Sequence, residues 1–180
     1  MKKFKKGLTL RYSKGFTLIE LLVVVAIIGV LTSIVLVSLT NSKNKGADAA
    51  VKSNLNTIRG MSELFYANNG NSFLPTGGTP LTITTPCPTY NDGTINMFSR
   101  DKTIADAIAE ALKRGTGSAC YNSSLNWAVA VTLRSSDGAT SGSSNTLPDS
   151  WCVDSGGASK SYAWASGETI VNSINVTFCK

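Results

Sequence analysis

A single carboxylate, Glu20, lies in a stretch that is apolar or small at nearly every position, from Phe16 to Leu39. An ionised side chain at bilayer depth costs about 2.5–3.5 kcal/mol on insertion scales, and such residues commonly mark a functional site. Glu20 therefore needs a compensating positive charge, or a place near the interface where it stays hydrated. We favour the compensating charge.

Other reactive groups are scarce. The chain has no histidine, which excludes Ser-His-Asp and Cys-His catalysis and histidine metal sites. The carboxylates of Asp137, Asp149, Asp154 and Glu168 are potential calcium ligands, but their spacing matches no ligand loop. Since the spacing of the acids also indicates no catalytic pair, we predict that the protein is not an enzyme and has neither a cofactor nor a metal site.

The four cysteines are even in number and include no C-x-x-C pair. This pattern favours disulfides in an oxidising compartment over zinc or redox chemistry. Four buried free thiols are the alternative. Four cysteines allow three pairings, which spacing alone does not separate.

The elements that position these groups begin with the apolar stretch. At about 1.5 Å per residue it forms a helix of roughly 36 Å, enough to cross a hydrocarbon core of about 30 Å. The first 15 residues hold six of the 17 Lys and Arg residues and no acid, which places that flank in the cytoplasm and the rest of the chain outside it. The other 11 basic residues balance the 11 acids, so general nucleic-acid binding is not expected.

Lys14-Gly15 followed by Phe16-Thr17-Leu18-Ile19-Glu20-Leu21-Leu22 resembles the prepilin processing motif of the type IV pilin and type II secretion pseudopilin superfamily. The resemblance implies cleavage after Gly15 by a membrane-embedded prepilin peptidase, which also methylates the new amine of Phe16. It further implies that Glu20 pairs with the amine of a neighbouring subunit during assembly. Since Phe16 precedes Glu20 by four residues, we expect the two on one helix face.

The partners implied are the prepilin peptidase/methyltransferase, identical or related pilin subunits, the inner-membrane assembly platform and membrane lipid. The protein is expected to cross the cytoplasmic membrane once, with its C-terminal domain outside, and then to enter a cell-surface or periplasmic filament. A pilus, a secretion pseudopilus and a DNA-uptake filament all fit. The rival hypothesis is an unprocessed, permanently anchored extracytoplasmic binding domain, similar to an adhesin.

The remaining pattern predicts an α+β fold, in which a long N-terminal helix packs on a C-terminal antiparallel sheet. Apolar residues at three- and four-residue spacing extend the first helix to about Asn69, and a second helix is predicted from about Asp101 to Arg114. Ser99 or Asp101 is able to cap the second helix, and Gly115 is expected to end it. A loop is expected between the two helices, from the end of the first helix to about Thr94. Another loop is expected at 135–144. Predicted strands are Trp127–Leu133, Ser150–Asp154, Ser161–Ala165 and Ile170–Phe178. The core-facing residues are predicted to be Val51, Leu55, Ile58, Met61, Leu64 and Phe65 on the helix, and Trp127, Trp151, Tyr162, Trp164 and Phe178 on the strands.

These elements complete the predicted organisation: a leader at 1–15, a transmembrane assembly helix at 16–39, and a globular domain at 40–180. For the cysteines we expect Cys87–Cys120 and Cys152–Cys179. The first pair flanks the second predicted helix. The second pair joins two predicted strands, and the resemblance implies a staple of this kind near the C-terminus.

Overall fold

A computed structural model describes residues 15–135 and 149–180. The predicted leader up to Lys14 lies outside the described residues, as does the predicted loop beyond Ser135. The chain divides at Thr40 into two compact units, and the second spans Asn41–Lys180. One helix, α1 (Leu18–Asn68), contributes to both.

In the first unit, α1 is apolar and its side chains are exposed. It is long and apolar enough to cross a membrane, and none of its apolar window is buried. The hydroxyls of Thr32 and Ser33 donate to the carbonyls of Ile28 and Val30, both at 2.7 Å. These polar groups are therefore satisfied within the helix, as a hydrocarbon environment requires.

In the second unit, α1 has one buried face, formed by Val51, Leu55 and Ile58, whose spacing is that of helix periodicity. The helix ends at Asn68, and the chain turns away through left-handed backbone at Gly70 (φ 66°). The predicted end near Asn69 is thus confirmed. Leu64 was expected on the core face but is 57% exposed. The buried face of α1 continues from Ile58 to the smaller Ser62 instead.

Five antiparallel strands form the main sheet, in the order β1-β2-β3-β4-β5. In that order the strands span Leu81–Thr84, Ser118–Asn122, Trp127–Thr132, Asp149–Asp154 and Ser159–Ala163. The central strand β3 is buried at all six positions, because both faces of the sheet are covered. On one face Trp127, Val129 and Val131 pack with the buried residues of α1.

Two further helices, α2 (Met97–Arg100) and α3 (Lys102–Arg114), contribute to the same core. Asp101 caps α3, because its side chain accepts bonds from the amides of Thr103 and Ile104. Gly115 ends it. The predicted second helix is therefore confirmed, including its cap.

The opposite face of the sheet is covered by the C-terminal segment, which consists of a 3₁₀ helix, Ile170–Ser173, and a small hairpin of β6 (Ile174–Asn175) and β7 (Phe178–Cys179). Its Ile170, Ile174 and Cys179 pack on the small strand residues Ala128 and Ala130. The sheet is thus enclosed between helices and this segment.

The prediction of one long final strand from Ile170 to Phe178 is wrong. Thr169 and Asn172 form a capping box that starts a 3₁₀ turn, and Val176 takes left-handed backbone (φ 57°) in the hairpin. Two further corrections concern residues outside this strand. The segment predicted as a loop to Thr94 contains β1, and β2 and α2 were not predicted.

The α+β fold class and the strands β3, β4 and β5 are confirmed to within two residues at each end. Of the five aromatic residues expected in the core, Trp127 is fully buried. Phe178 is 40% exposed, and its ring lies against Gly156.

Candidate functional site

The candidate site is the start of α1, where Gly15, Phe16 and Thr17 precede the first helical residue, Leu18. Thr17 is the N-cap, and its carbonyl accepts the first helical bond from the amide of Leu21 at 3.3 Å. The helix therefore starts two residues after Phe16.

Thr17 and Glu20 form a reciprocal capping box. The hydroxyl oxygen of Thr17 accepts a bond from the amide of Glu20 at 3.3 Å. In return, Glu20 Oε2 accepts bonds from the amide of Thr17 at 2.8 Å and from its hydroxyl at 2.9 Å. This arrangement satisfies two amides that have no partner within the helix. The Glu20 carboxylate is thereby held at the positive end of the helix dipole.

This geometry corrects one expectation. Phe16 and Glu20 were expected on one helix face, but Phe16 lies outside the helix and is 91% exposed. Thr17 was not predicted as a site residue, but it is the residue that contacts Glu20. The signal that could have found it is Thr17-Leu18-Ile19-Glu20 ahead of an apolar run, which has the S/T-x-x-E form of a capping box.

The fold does not require glycine at position 15. A Cβ added to Gly15 meets nothing within 4 Å, and its φ is outside the left-handed region. A side chain there would cost neither a clash nor backbone strain. If glycine is needed at this position, the reason lies outside the folded chain.

Disulfides join Cys87 to Cys120 and Cys152 to Cys179, the pairing chosen from the sequence, with Cα–Cα distances of 5.1 and 5.6 Å. The first bond ties the loop after β1 to β2 in the core beside α1. The second ties β4 to β7 on the other face. They lie on opposite faces of the sheet and do not form one reactive cluster.

The acids singled out from the sequence are also separated. Asp154 is buried, and its carboxylate accepts bonds from the amides of Ala158 and Cys179, both at 2.9 Å. Asp149 is buried at the start of β4, and Asp137 lies outside the described residues. Across 15–135 and 149–180, no group of three or more His, Cys, Asp or Glu residues is arranged to hold a metal ion.

Glu168 belongs to a separate cluster near the C-terminus. Its carboxylate accepts bonds from the amide of Ala165 at 2.8 Å and from the Tyr162 hydroxyl at 2.7 Å, and it pairs with Lys180 at 3.0 Å. These bonds, with the Ala165 amide contributing most, lower the pKa of Glu168 to about 2. The cluster stabilises the C-terminal segment.

Comparisons with known proteins agree with the chemistry of the helix start. The prokaryotic N-terminal methylation motif matches residues 10–36. The chain is also similar to the type IV wide pilus major component PilA4 of Thermus thermophilus, with 37% identity over 60 residues. This match covers 33% of the chain and 46% of that protein, so it spans less than half of the relative. No solved structure matches the chain.

The matched motif contains Gly15, Phe16, Thr17 and Glu20, and it coincides with the first part of the exposed apolar half of α1. Proteins of the superfamily that carries this motif are structural rather than enzymatic. The methylation motif, the pilin relative and the α+β fold led by a long apolar helix together support similarity of this chain to the type IV pilin superfamily.

Proposed function

We propose that this protein is the structural subunit of a type IV pilus-like or type II secretion pseudopilus filament. It is made as a precursor that the apolar half of α1 holds in the cytoplasmic membrane. Prepilin peptidase cuts after Gly15 and methylates Phe16. The assembly platform then transfers the subunit into a filament outside that membrane. The leader is 1–15, the assembly helix is 16–39, and the exported domain is 40–180.

The observation that carries this proposal is the exposed apolar half of α1. Its large side chains are exposed from Leu18 (88%) to Leu39 (48%), whereas the later half of the same helix buries Val51, Leu55 and Ile58. Exposed apolar area of this extent needs a cover. Lipid supplies the cover before assembly, and equivalent helices of other subunits supply it in a filament.

Glu20 acts in assembly by pairing with the methylated amine of Phe16 on a neighbouring subunit. In the single chain its carboxylate accepts bonds only at Oε2 among the contacts described for it, and the side chain is exposed. A carboxylate has room for about four such bonds. A cation can therefore approach the Glu20 carboxylate without first breaking its bonds from Thr17.

Processing is tested by the N-terminus of cell-derived protein. Intact-mass and N-terminal peptide analysis should find a chain that starts at N-methylated Phe16. A matched strain that lacks prepilin peptidase should retain residues 1–15. A mature chain that starts at Met1 in peptidase-positive cells would contradict processing and would favour the permanently anchored binding domain.

Assembly is tested with Glu20→Ala in cells that lack the wild-type copy. We expect the variant to insert into the membrane as well as the wild type does, but to be missing from sheared filaments. Glu63→Ala is the matched control, because Glu63 is an exposed carboxylate on the later half of α1. Wild-type amounts of Glu20→Ala subunit in filaments would refute the assembly role.

A further inference from the structure

We propose that the second unit carries a binding surface for anionic phospholipid headgroups, formed by Lys45, Arg114 and Arg134. We call these three residues the basic end. The inference rests on the proposed function, because it requires the apolar stretch before the basic end to lie in a membrane. It adds a specific headgroup contact made by the exported domain.

Asp48 assembles the basic end. This carboxylate is 5% exposed and accepts bonds from the amides of Arg134 at 2.7 Å and Ser135 at 2.9 Å, as well as from the Ser135 hydroxyl. The chain after β3 is thus fixed beside α1. Arg134 Nε in turn donates to the carbonyl of Arg114, the last residue of α3. Helix α1, the chain after β3 and the end of α3 are distant in sequence, and these bonds hold them together near Asp48.

The resulting surface is positive. Lys45 lies three residues before Asp48 on α1, so it stands on the same side of the helix, and Lys45, Arg114 and Arg134 are all exposed. The negative charge of Asp48 is buried and already satisfied by three donors.

Ion pairing distinguishes the basic end from several other cations. Lys102, Lys113 and Lys180 each pair with a carboxylate. Within the described residues, none of the three members of the basic end forms an ion pair. Their charges are therefore available to an external anion.

Phosphate of lipid headgroups is the anion that fits both the chemistry and the position. Two members are arginines, whose planar guanidinium groups match phosphate oxygens, and the Nη groups of Arg134 remain beyond its Nε bond. Lys45 follows Leu39, the last residue of the apolar stretch, by six residues. Even fully extended, six residues span only about 20 Å. The covalent chain therefore keeps this lysine close to the membrane surface.

The test uses the full chain in lipid nanodiscs, made either of phosphatidylcholine alone or with one third phosphatidylglycerol. The rate of Lys45 acetylation is measured by peptide mass spectrometry relative to Lys102, which is on another element. We expect Lys45 to react several-fold more slowly in anionic discs. The difference should disappear at 1 M salt, where the screening length is about 3 Å.

Arg114→Gln/Arg134→Gln tests the surface itself, because the backbone bonds to Asp48 do not use the Arg134 side chain. Each cation near an anionic surface strengthens attraction by about fivefold, so this variant should lose most of the Lys45 protection. Arg100→Gln/Lys160→Gln removes the same charge from other exposed positions and should keep it.

Equal Lys45 rates in the two lipids would overturn the inference, as would equal loss of protection in both double variants. Protection that appears only in discs holding two chains, whatever the lipid, would assign the basic end to a second copy instead. A chain that fails to enter the discs at all would contradict the membrane anchor of the proposed function, which is a distinguishable result.

Discussion

At the scale of single residues, Thr17 controls how α1 begins. Thr17→Ala removes the hydroxyl that accepts the Glu20 amide and donates to its carboxylate. N-cap losses of this kind cost about 0.5–2 kcal/mol. We expect amide exchange in the first turn of α1 to accelerate about two- to thirtyfold in detergent micelles.

Thr17→Ser is the matched control, because it keeps the hydroxyl and should exchange at nearly the wild-type rate. Unchanged exchange in Thr17→Ala would mean that the capping box contributes nothing to the start of the helix. The amount of each variant found in filaments would show whether assembly also requires Thr17 to hold the Glu20 carboxylate in place.

The lowered pKa of Glu168 predicts that the folded domain loses stability in acid. Its pKa is lowered to about 2, first by the Ala165 amide, then by Tyr162 and Lys180, whereas an unperturbed glutamate titrates near about 4.3. A carboxylate with a lowered folded-state pKa stabilises the fold above its unfolded pKa and loses that contribution as pH falls. Stability from Glu168 should therefore be complete above about pH 4.5 and should decline toward pH 2.

Thermal unfolding of the full chain in micelles, between pH 6 and pH 2, measures this effect. Glu168→Gln should unfold earlier than the wild type at pH 6, and the difference should shrink as pH falls. Asp106→Asn is a suitable control, since Asp106 is an exposed carboxylate paired with Lys102 on α3. A constant difference between wild type and Glu168→Gln across this range would contradict the prediction.

At the scale of elements, Gly115 allows the end of α3 to pack on β3. A Cβ at Gly115 would lie 2.4 Å from the Thr132 carbonyl oxygen and 2.6 Å from Val131 Cγ1. Because backbone cannot move as a flexible side chain can, Gly115→Ala should destabilise the fold by about 1–3 kcal/mol. Chemical denaturation in micelles measures this loss.

Gly117→Ala is the matched control two residues later, where the nearest contact of the added Cβ is Thr132 Oγ1 at an ordinary 3.6 Å. We expect little change there. Equal stability of the two variants would show that the close approach of α3 to β3 does not require glycine at position 115.

At the scale of the whole molecule, the two disulfides close loops with sequence separations of 33 and 27 residues. The chain-entropy account assigns about 3–4 kcal/mol to loops of this length, a large fraction of the stability of a small domain. Cys152→Ser/Cys179→Ser should therefore lower the denaturation midpoint strongly. It should also expose the C-terminal segment to proteolysis.

Cys87→Ser/Cys120→Ser should lower the midpoint by a similar amount but leave the C-terminal segment protected, since that bond lies on the other face of the sheet. Non-reducing peptide mapping of exported protein checks the pairing directly. A Cys87–Cys179 peptide would refute the pairing, and four free thiols would refute both bonds.

Local signals in the sequence were sufficient for much of this protein. The apolar length from Phe16 to Leu39 and the motif around Gly15 depend only on neighbouring residues, so they predicted the exposed apolar helix and the similarity to type IV pilins. The Asp101 cap and Gly115 marked α3 correctly for the same reason. Strand β3 was found because β-branched and aromatic residues dominate it.

Tertiary structure alone decided what depends on distant partners. Strand β2, Ser118–Asn122, contains one residue type that favours strands, Tyr121, and it is a strand because β1 and β3 pair with it on both sides. Asp48 looks like any polar helix residue until Arg134 and Ser135, more than 80 residues away in sequence, donate their amides to it. Backbone pairing and burial of this kind arise between segments, so no pattern within one segment encodes them.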